Sequence, residues 1–309
     1  MPEERAIAHV AVLGGGGFIG TQLTLNLLHM GYNLHLLINR TEPDYVSPRG
    51  RLNIFRGKIE DKQALIECFQ GCEIVYHLVG IIAETRDKTF QETVADGTAR
   101  VVEAAQEAGV RKIIYLSALG TAEDASSLYH RSKWQAEEHV RRSGLDFTIF
   151  RPSVVYGPDD KFINMLAGMI RRAPVVPVIG DGQYWLQPVA VDELAAVMVM
   201  AAEKDFTSQK TYEIGGPRQL TYLEILDIIK QVLGVKRINV YIPVWLARMA
   251  AGIMEKTLRS TPLTTDQLKM MAAGSVCDQT VAEKDFGVEF SSLENKIVAY
   301  LGNKGKKNG

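Results

Sequence analysis

Hydrophobic and polar residues follow two recurring patterns along the chain. Short apolar runs bounded by glycine, proline or polar residues predict buried strands, and longer segments with apolar residues every three or four positions predict helices. Strands are expected at about 8–13, 33–39, 51–56, 73–80, 111–117, 147–151 and 211–214. The main helices are expected at about 18–30, 88–108, 129–143, 161–172, 191–203 and 221–233. Because strands and helices alternate, the order predicts an α/β fold with a doubly wound parallel sheet.

The pattern changes after residue 217, where a smaller region is expected. Thr221 and Glu224 have the spacing of a capping box at the start of a helix. The stretch 244–254 is nearly all apolar, with Arg248 as its only charge. It predicts a helix that is buried, covers an apolar substrate such as a quinone, or lies on a membrane. We expect burial or substrate coverage, because the stretch lacks a polar face rich in lysine and arginine.

Composition excludes several classes of function. A formal net charge of −1 over 309 residues gives no indication of a nucleic-acid partner. Three cysteines are too few for a disulfide framework and lack zinc-like spacing, so we expect reduced thiols, no metal site and a cytoplasmic location. The charged N-terminus does not resemble a signal peptide, and no apolar run reaches the roughly 18 residues that span a bilayer.

A glycine-rich turn lies between the first predicted strand and helix. Gly14, Gly17 and Gly20 are spaced three apart, and Phe18 and Ile19 open the helix. This spacing is related to the G-x-G-x-x-G fingerprint, in which glycines let backbone N–H groups approach a pyrophosphate. The N-terminus of the helix then faces the phosphates with unpaired N–H groups. These five residues are therefore candidate ligands of a dinucleotide; the alternative is a flexible loop without a ligand.

The end of the second strand carries the residues that select the cofactor. An acidic side chain at this position holds the adenosine ribose hydroxyls, whereas a basic one accommodates the 2′-phosphate of NADP. The chain has Asn39, Arg40 and Thr41 here, although Glu42 is close. Arg40 therefore favours NADP(H) over NAD(H), which remains the alternative. Arg40 can also be a solvated loop residue.

Candidate catalytic residues follow the fifth strand. Tyr129 and Lys133 lie four apart on a predicted helix and so share one face. An ammonium beside a phenol lowers the pKa of the phenol, which can then exchange a proton with a substrate oxygen while a nicotinamide exchanges hydride. Lys133 can also bind the ribose hydroxyls. Ser117 is the favoured hydroxyl partner, with the following alternatives: Thr121, Ser126 and Ser127.

Three further residues are candidate cofactor ligands at strand ends. Gly80 would let the backbone approach the cofactor, and Arg151 and Pro152 end the sixth strand. Arg151 is equally compatible with a structural ion pair. His77 on the fourth strand is expected to be a core histidine rather than a catalytic base.

The motifs together resemble those of extended or atypical short-chain dehydrogenases/reductases. The resemblance covers most of residues 7–245 and rests on the glycine turn, Gly97-Thr98, the Tyr–Lys pair, 151–158, 187–194 and 215–217. The segments 77–82, 116–120 and 262–268 resemble the family of the NADP(H)-binding accessory subunit of respiratory complex I and its bacterial relatives. The resemblance implies a Rossmann core and bound NADP(H). For the complex I family, the resemblance implies that the bound nucleotide has a structural role and is not turned over. For related members, it implies a link to quinone metabolism.

The resemblance also implies a domain organisation and partners. We expect a Rossmann-type core of 1–156 completed by about 186–216, a small C-terminal α/β lobe of 157–185 and 217–302, and a disordered basic tail at 303–309. A small, apolar, quinone-like substrate is the expected ligand. We also expect association with a respiratory complex, peripheral to the inner face of a membrane. A homodimer is expected to form by pairing of the helices near 88–108 and 129–143.

Two residues and one loop depart from the family pattern. Lys58 replaces an aspartate that is usual near the adenine, and Val94 replaces an asparagine of the usual active-site set. The loop from Ser117 to Tyr129 is short. Three functions are therefore open: an oxidoreductase for a carbonyl or quinone-type substrate, a non-catalytic NADP(H)-binding accessory or assembly factor, and a nucleotide-sugar epimerase or dehydratase. The Arg40 region argues against the third.

Overall fold

The computed structural model describes residues 9–39, 50–258, 261 and 263–302. The chain folds into two compact units, each formed by two segments. The first unit comprises Met1–Arg151 and Ala195–Tyr212, and the second comprises Pro152–Leu194 and Glu213–Gly309. The predicted organisation, a core of 1–156 completed by about 186–216 and a small C-terminal lobe, stays a prediction. The tail expected at 303–309 and Arg40 both lie outside the described residues.

The described strands and helices alternate over the first two thirds of the chain. The strands are β1 (His9–Leu13), β2 (Asn33–Ile38), β3 (Leu52–Arg56), β4 (Ile74–His77), β5 (Lys112–Leu116), β6 (Asp146–Pro152), β7 (Val155–Tyr156), β8 (Val175–Ile179), β9 (Trp185–Leu186), β10 (Val189–Ala190), β11 (Lys210–Ile214), β12 (Leu220–Thr221) and β13 (Ile238–Ile242). The helices are α1 (Phe18–His29), α2 (Lys62–Phe69), α3 (Asp96–Glu107), α4 (Leu128–Arg141), α5 (Phe162–Arg172), α6 (Val191–Glu203), α7 (Tyr222–Leu233), α8 (Val244–Thr257), α9 (Thr265–Ala273), α10 (Thr280–Phe286) and α11 (Leu293–Ile297). A π-helical turn, Gln91–Ala95, leads into α3, and another, Val298–Gly302, follows α11.

Seven strands form the central sheet in the order β11-β6-β5-β4-β1-β2-β3. The pairs from β3 through β6 are parallel, with Leu13 opposite His77 and His77 opposite Tyr115. The apolar runs of β1, β2, β4, β5 and β6 are buried because parallel sheets are covered on both faces. β3, at the edge of the sheet, is more exposed. The predicted α/β fold with a doubly wound parallel sheet is therefore confirmed. The order reverses beside β1, and such a switch point opens a crevice at the carboxyl ends of the strands.

The second unit is held together by short strands and a separate apolar core. β7 pairs with β10, β8 with β13, and β9 with β12. Side chains from α5, α7 and α11 form the core, among them Leu166, Ile225 and Ile297. The capping box predicted for α7 is confirmed: Thr221 accepts from Glu224 N, and the Glu224 carboxylate accepts from Thr221 N.

Helix α8 is the element whose environment differs most from the prediction. Only Ala247 and Ala251 are buried, against the Leu268 side chain of α9. Trp245, by contrast, is 67% exposed. The expected burial of this helix is therefore wrong, because two small alanines make its contact with the core. The alternative, that it covers an apolar substrate, stays a prediction. None of the helices in the described ranges is long and apolar enough to cross a membrane.

Candidate cofactor and active site

The glycine turn between β1 and α1 has a conformation that side chains would prevent. Gly14 adopts φ +85°, a left-handed conformation that favours glycine. Gly17 N donates to Gly14 O at 3.0 Å, and Thr21 N donates to Gly17 O at 2.8 Å as the helix begins. A Cβ on Gly20 would lie 2.0 Å from Gly14 O, so only glycine lets α1 pack this closely against the turn. The turn therefore has the compact form that a pyrophosphate site requires.

A cavity of about 130 Å³ lies at the carboxyl ends of the strands that flank the switch point. Its lining comes from the ends of β1 and β2, from the residues that follow β3 and β4, and from two residues in the segment that leads into α3. The lining residues are Leu13, Gly14, Leu37, Asn39, Gly57, Lys58, Ile59, Glu60, Val79, Lys88 and Thr93. Because Gly14 belongs both to this lining and to the glycine turn, the cavity is a continuous extension of the candidate pyrophosphate site. Its position fits the adenosine half of a dinucleotide.

Helix α4 carries the predicted Tyr–Lys pair into the interior. Ser127 caps the helix by accepting from His130 N at 3.1 Å, so Ser127 has a structural role at the helix start. Tyr129 and Lys133 are both buried, as their shared face requires. The ring of Tyr129 also packs edge-on against Phe90, with 5.7 Å between the ring centroids. The structure thus places both side chains together on the buried face of α4.

The ammonium of Lys133 lies at the carboxyl ends of β4 and β5. Its Nζ donates to Leu116 O at 2.7 Å and lies 4.8 Å from the ring centroid of Tyr115. A Cβ placed on Gly80 would be 3.4 Å from Nζ, so the backbone of Gly80 adjoins the ammonium. Burial lowers the pKa of Lys133 to about 8, and the Glu137 carboxylate partly opposes this shift. The structure therefore brings Lys133 and Gly80 together at the carboxyl edge of the sheet.

The pKa of Tyr129 moves in the direction opposite to the one expected from the sequence. Burial raises it to about 12, because desolvation disfavours the phenolate. The expectation that Lys133 lowers the pKa of Tyr129 was wrong. In the structure the Lys133 ammonium donates to a backbone carbonyl. Tyr129 is consequently a neutral phenol at neutral pH, which makes it a proton donor rather than a base.

Two of the four candidate hydroxyl groups lie close to each other. Ser117 Oγ and Thr121 Oγ1 are 3.4 Å apart, and both residues are buried. Ser126 is exposed, and Ser127 is used as the helix cap. The geometry therefore narrows the choice to Ser117 and Thr121, and the assignment of Ser117 as catalytic stays a prediction.

His77 is confirmed as a core residue. It is fully buried, and its Nε2 lies 3.0 Å from Thr98 Oγ1. Thr98 Oγ1 in turn donates to Val94 O at 2.6 Å, so it accepts from a protonated Nε2 of His77. Burial and the Lys133 cation lower the pKa of His77 to about 3, which keeps the imidazole neutral. Val94, at the position of the usual asparagine, is fully buried beside this group.

Arg151 forms an ion pair whose partner, Glu137, the sequence did not reveal. Its Nε and Nη2 donate to the carboxylate of Glu137 at 2.8 and 2.7 Å, and Arg141 Nη2 donates to the same carboxylate at 2.5 Å. Glu137 is fully buried one turn beyond Lys133. The sequence feature that could have identified Glu137 is its spacing, because Tyr129, Lys133 and Glu137 follow one another at intervals of four residues and so share one helix face. The structure supports the structural alternative for Arg151, and cofactor roles for Arg151 and Pro152, the last residue of β6, stay predictions.

The strand order and the glycine turn define a Rossmann-type protein, and the buried Tyr–Lys pair on α4 is typical of extended short-chain dehydrogenases/reductases. The chain belongs to the NAD dependent epimerase/dehydratase family, whose sequence profile matches residues 10–215, more than half of the chain. The family binds NAD(H), and the glycine turn and adjoining cavity fit such a cofactor. Across the described ranges, no cluster of three or more His, Cys, Asp or Glu side chains has the geometry to hold a metal ion.

Named relatives of the chain include respiratory and reductase proteins. It is 28% identical over 311 residues to NADH dehydrogenase (ubiquinone) 1 alpha subcomplex subunit 9, mitochondrial, of Arabidopsis thaliana, covering 94% of this chain and 76% of that protein. It is 29% identical over 232 residues to ceramide reductase of Caulobacter vibrioides, covering 74% of this chain and 71% of that protein. Among solved structures, MoeE5 in complex with UDP-glucose and NAD matches with a TM-score of 0.77 at 18% identity, covering 98% and 100% of the two chains. This last likeness concerns the fold.

Proposed function

We propose that the chain binds NADP(H) and acts as an oxidoreductase on a carbonyl or quinone-type substrate. The observation that carries this proposal is the buried Tyr129–Lys133 pair beside Gly80, at the edge of the sheet where the glycine turn also lies. Gly14, Gly17 and Gly20 would hold the pyrophosphate, and the start of α1 at Phe18 and Ile19 would supply backbone N–H donors. The carboxyl-edge cavity would hold the adenosine.

The residues supply the proton that such a reduction needs. When bound, a reduced nicotinamide would supply the hydride of the reduction, and the oxygen of the carbonyl or quinone substrate would then need a proton. The neutral phenol of Tyr129 donates a proton to that oxygen, so that one hydride and one proton complete the reduction. Lys133 orients the ribose and stabilises the resulting phenolate by its positive charge. Ser117 or Thr121 donates a hydrogen bond to the substrate oxygen.

Preference for NADP(H) over NAD(H) is part of the proposal. The end of β2 carries Asn39 rather than an acid, and Arg40 follows it in the sequence. Arg40→Asp is expected to weaken NADPH binding more than NADH binding, because it replaces a cation near the 2′-phosphate with an anion. Equal losses for the two cofactors would contradict a role in reading the 2′-phosphate.

The experiment that tests the activity measures NADPH oxidation against a panel of quinones and small carbonyl compounds. Tyr129→Phe is expected to abolish turnover while NADPH still binds, because the substituted side chain has no proton to donate. Tyr32→Phe is a matched control, since the Tyr32 hydroxyl contacts Glu203 at 2.9 Å. Turnover that persists in Tyr129→Phe would remove Tyr129 from the mechanism. UDP-glucose belongs in the panel, and its epimerisation would favour the nucleotide-sugar alternative.

A second candidate is a non-catalytic NADP(H)-binding accessory or assembly factor of a respiratory or quinone complex. Three observations favour it: the buried Val94 in place of the usual asparagine, the named relatives, and the exposed apolar face of α8. In this role the chain would lie in the cytoplasm, peripheral to the inner face of the membrane. Tight NADPH binding without turnover on any member of the panel would favour this role, and sedimentation would then show whether a homodimer or a larger complex forms.

A further inference from the structure

The loop that follows β3 is fixed against the end of β2, where the cofactor's adenosine ribose would lie. Gly57 N donates to Ile38 O at 3.0 Å, and a Cβ on Gly57 would lie 2.5 Å from Ala64 Cβ. Glycine is therefore required for this close packing. Asp61 N donates to Lys58 O at 3.0 Å, so the backbone of Lys58 is held on both sides.

Lys58 and Lys88 contribute the positive charges of the cavity lining. Both side chains are exposed, and within the part of the chain that the structure describes neither forms an ion pair. Glu60 is the acidic residue of the same lining, which leaves a net positive charge. Lys62, four residues later, differs from both, because its Nζ is paired with Glu107 at 3.1 Å and Glu103 at 3.7 Å.

We propose that Lys58 and Lys88 bind the 2′-phosphate of NADP(H) and thereby select this cofactor over NAD(H). The proposal rests on the function proposed above and names the groups responsible for its cofactor preference. A ribose phosphate monoester carries up to two negative charges near neutral pH, and lysine ammonium groups recognise phosphate as point charges. An unphosphorylated ribose has hydroxyl groups instead, which an acidic side chain binds and a lysine favours less.

The position of Lys58 was visible in the sequence only as an exception to the family pattern. What the structure adds is its place in the same cavity as Asn39, the residue that follows β2. Two segments far apart in sequence, 57–60 and the turn that includes Lys88, supply cations to one small cavity. In that turn, Thr85 N donates to Lys88 O at 2.9 Å and so fixes the backbone of Lys88.

The test uses two nucleotide probes that differ only in the group concerned, adenosine 2′,5′-bisphosphate and 5′-AMP. Their dissociation constants are measured by calorimetry on the full chain and on Lys58→Met, Lys88→Met, Lys58→Arg and Lys62→Met. We expect Lys58→Met to weaken the bisphosphate about tenfold and Lys88→Met severalfold, with 5′-AMP changed less than about twofold. Lys58→Arg keeps the positive charge and should retain most of the affinity. Lys62→Met should leave both probes unchanged.

The outcomes distinguish this proposal from the proposed function. Equal loss of both probes, or no loss in either lysine variant, overturns the assignment of the 2′-phosphate to these residues. Arg40→Ala extends the test. If this variant loses the preference for the bisphosphate while the two lysine variants keep it, the assignment to Lys58 and Lys88 is also overturned. A wild-type chain that binds neither probe, NADPH nor NADH overturns the cofactor function itself, and the lysine assignment with it. The lysines are exposed, so thermal melting is expected to show folded variants.

Discussion

Helices α4 and α8 each have 14 residues, and their environments are the reverse of what their compositions suggest. α4 is rich in polar and charged residues, yet Tyr129, His130, Ser132, Lys133 and Glu137 are all buried. α8 is mostly apolar, yet it buries only Ala247 and Ala251. Composition alone therefore does not decide which helix is inside.

The difference shows what each helix needs from its surroundings. Burial of charge costs free energy unless the charge is paired and hydrogen-bonded. In α4 the buried groups have partners, since Glu137 accepts from two arginines and Lys133 donates to Leu116 O. An exposed apolar face such as that of α8 is unusual for a chain that works alone and is typical of an interaction surface. The first helix thus buries charged groups that have partners, whereas the second leaves apolar side chains exposed.

The largest effect is expected from the buried carboxylate of α4. Glu137→Ala should lower the free energy of unfolding by about 3 kcal/mol or more, because Arg151 and Arg141 lose the carboxylate they share. Glu138→Ala is the matched control on the same turn. Its carboxylate is 26% exposed and pairs with Arg141 and Arg142, so a loss of about 1 kcal/mol or less is expected. Urea denaturation measures both, and equal losses would break the contrast between a buried and a surface carboxylate.

Replacement of Lys133 is expected to have a smaller effect on the free energy of unfolding, and to raise it. Its pKa is about 8 in the folded chain against 10.5 in the unfolded chain. Below pH 8 both states hold the proton, and the penalty for burying the charge is fully present. Between pH 8 and 10.5 the unfolded chain binds more protons, so the stability contributed by this group rises with pH. Lys133→Met should therefore be more stable than the wild type at pH 7 by about 2 kcal/mol, once the lost bond to Leu116 O is allowed for.

The pH dependence separates this explanation from a general packing gain. The advantage of Lys133→Met should fall as the pH rises above 8 and should be lost before pH 10.5, in urea titrations performed at each pH. The exposed Lys62→Met should show no such trend over that range. A variant less stable than the wild type at pH 7 would mean that the ammonium stabilises the fold.

Effects of opposite sign are expected from two neighbouring positions of α8. Ala251 is fully buried, and Ala251→Leu should destabilise the fold by about 1–3 kcal/mol through overpacking. Gly252 has no heavy atom within 4 Å of an added Cβ, so Gly252→Ala should stabilise the helix by about 0.5–1 kcal/mol. Thermal melts of the two variants should shift in opposite directions. Destabilisation by Gly252→Ala would show that this side of α8 is covered.

The strands of the sheet, the glycine turn and the Tyr–Lys pair could be predicted from the sequence. Apolar runs such as Val10–Leu13 gave the strands, because buried parallel strands leave an unambiguous signal. Local spacing gave the glycine turn, the Tyr–Lys pair and the capping box at Thr221. The Glu137–Arg151 pair was missed because its partners come from α4 and β6, and only the packing of a helix on a strand brings them together. The exposure of α8 was missed because an apolar pattern does not specify what covers it.

The path of the chain through the sheet has a consequence for synthesis. β6 ends at Pro152, and its neighbour β11 begins only at Lys210. Gln209 N donates to Phe147 O at 2.8 Å, and Thr148 Oγ1 donates to Thr207 O at 2.8 Å, so these contacts form late. A nascent chain must therefore expose one edge of β6 to solvent until about sixty further residues have left the ribosome. During that interval the growing chain is vulnerable to pairing with another copy, and binding by a chaperone would be most valuable then.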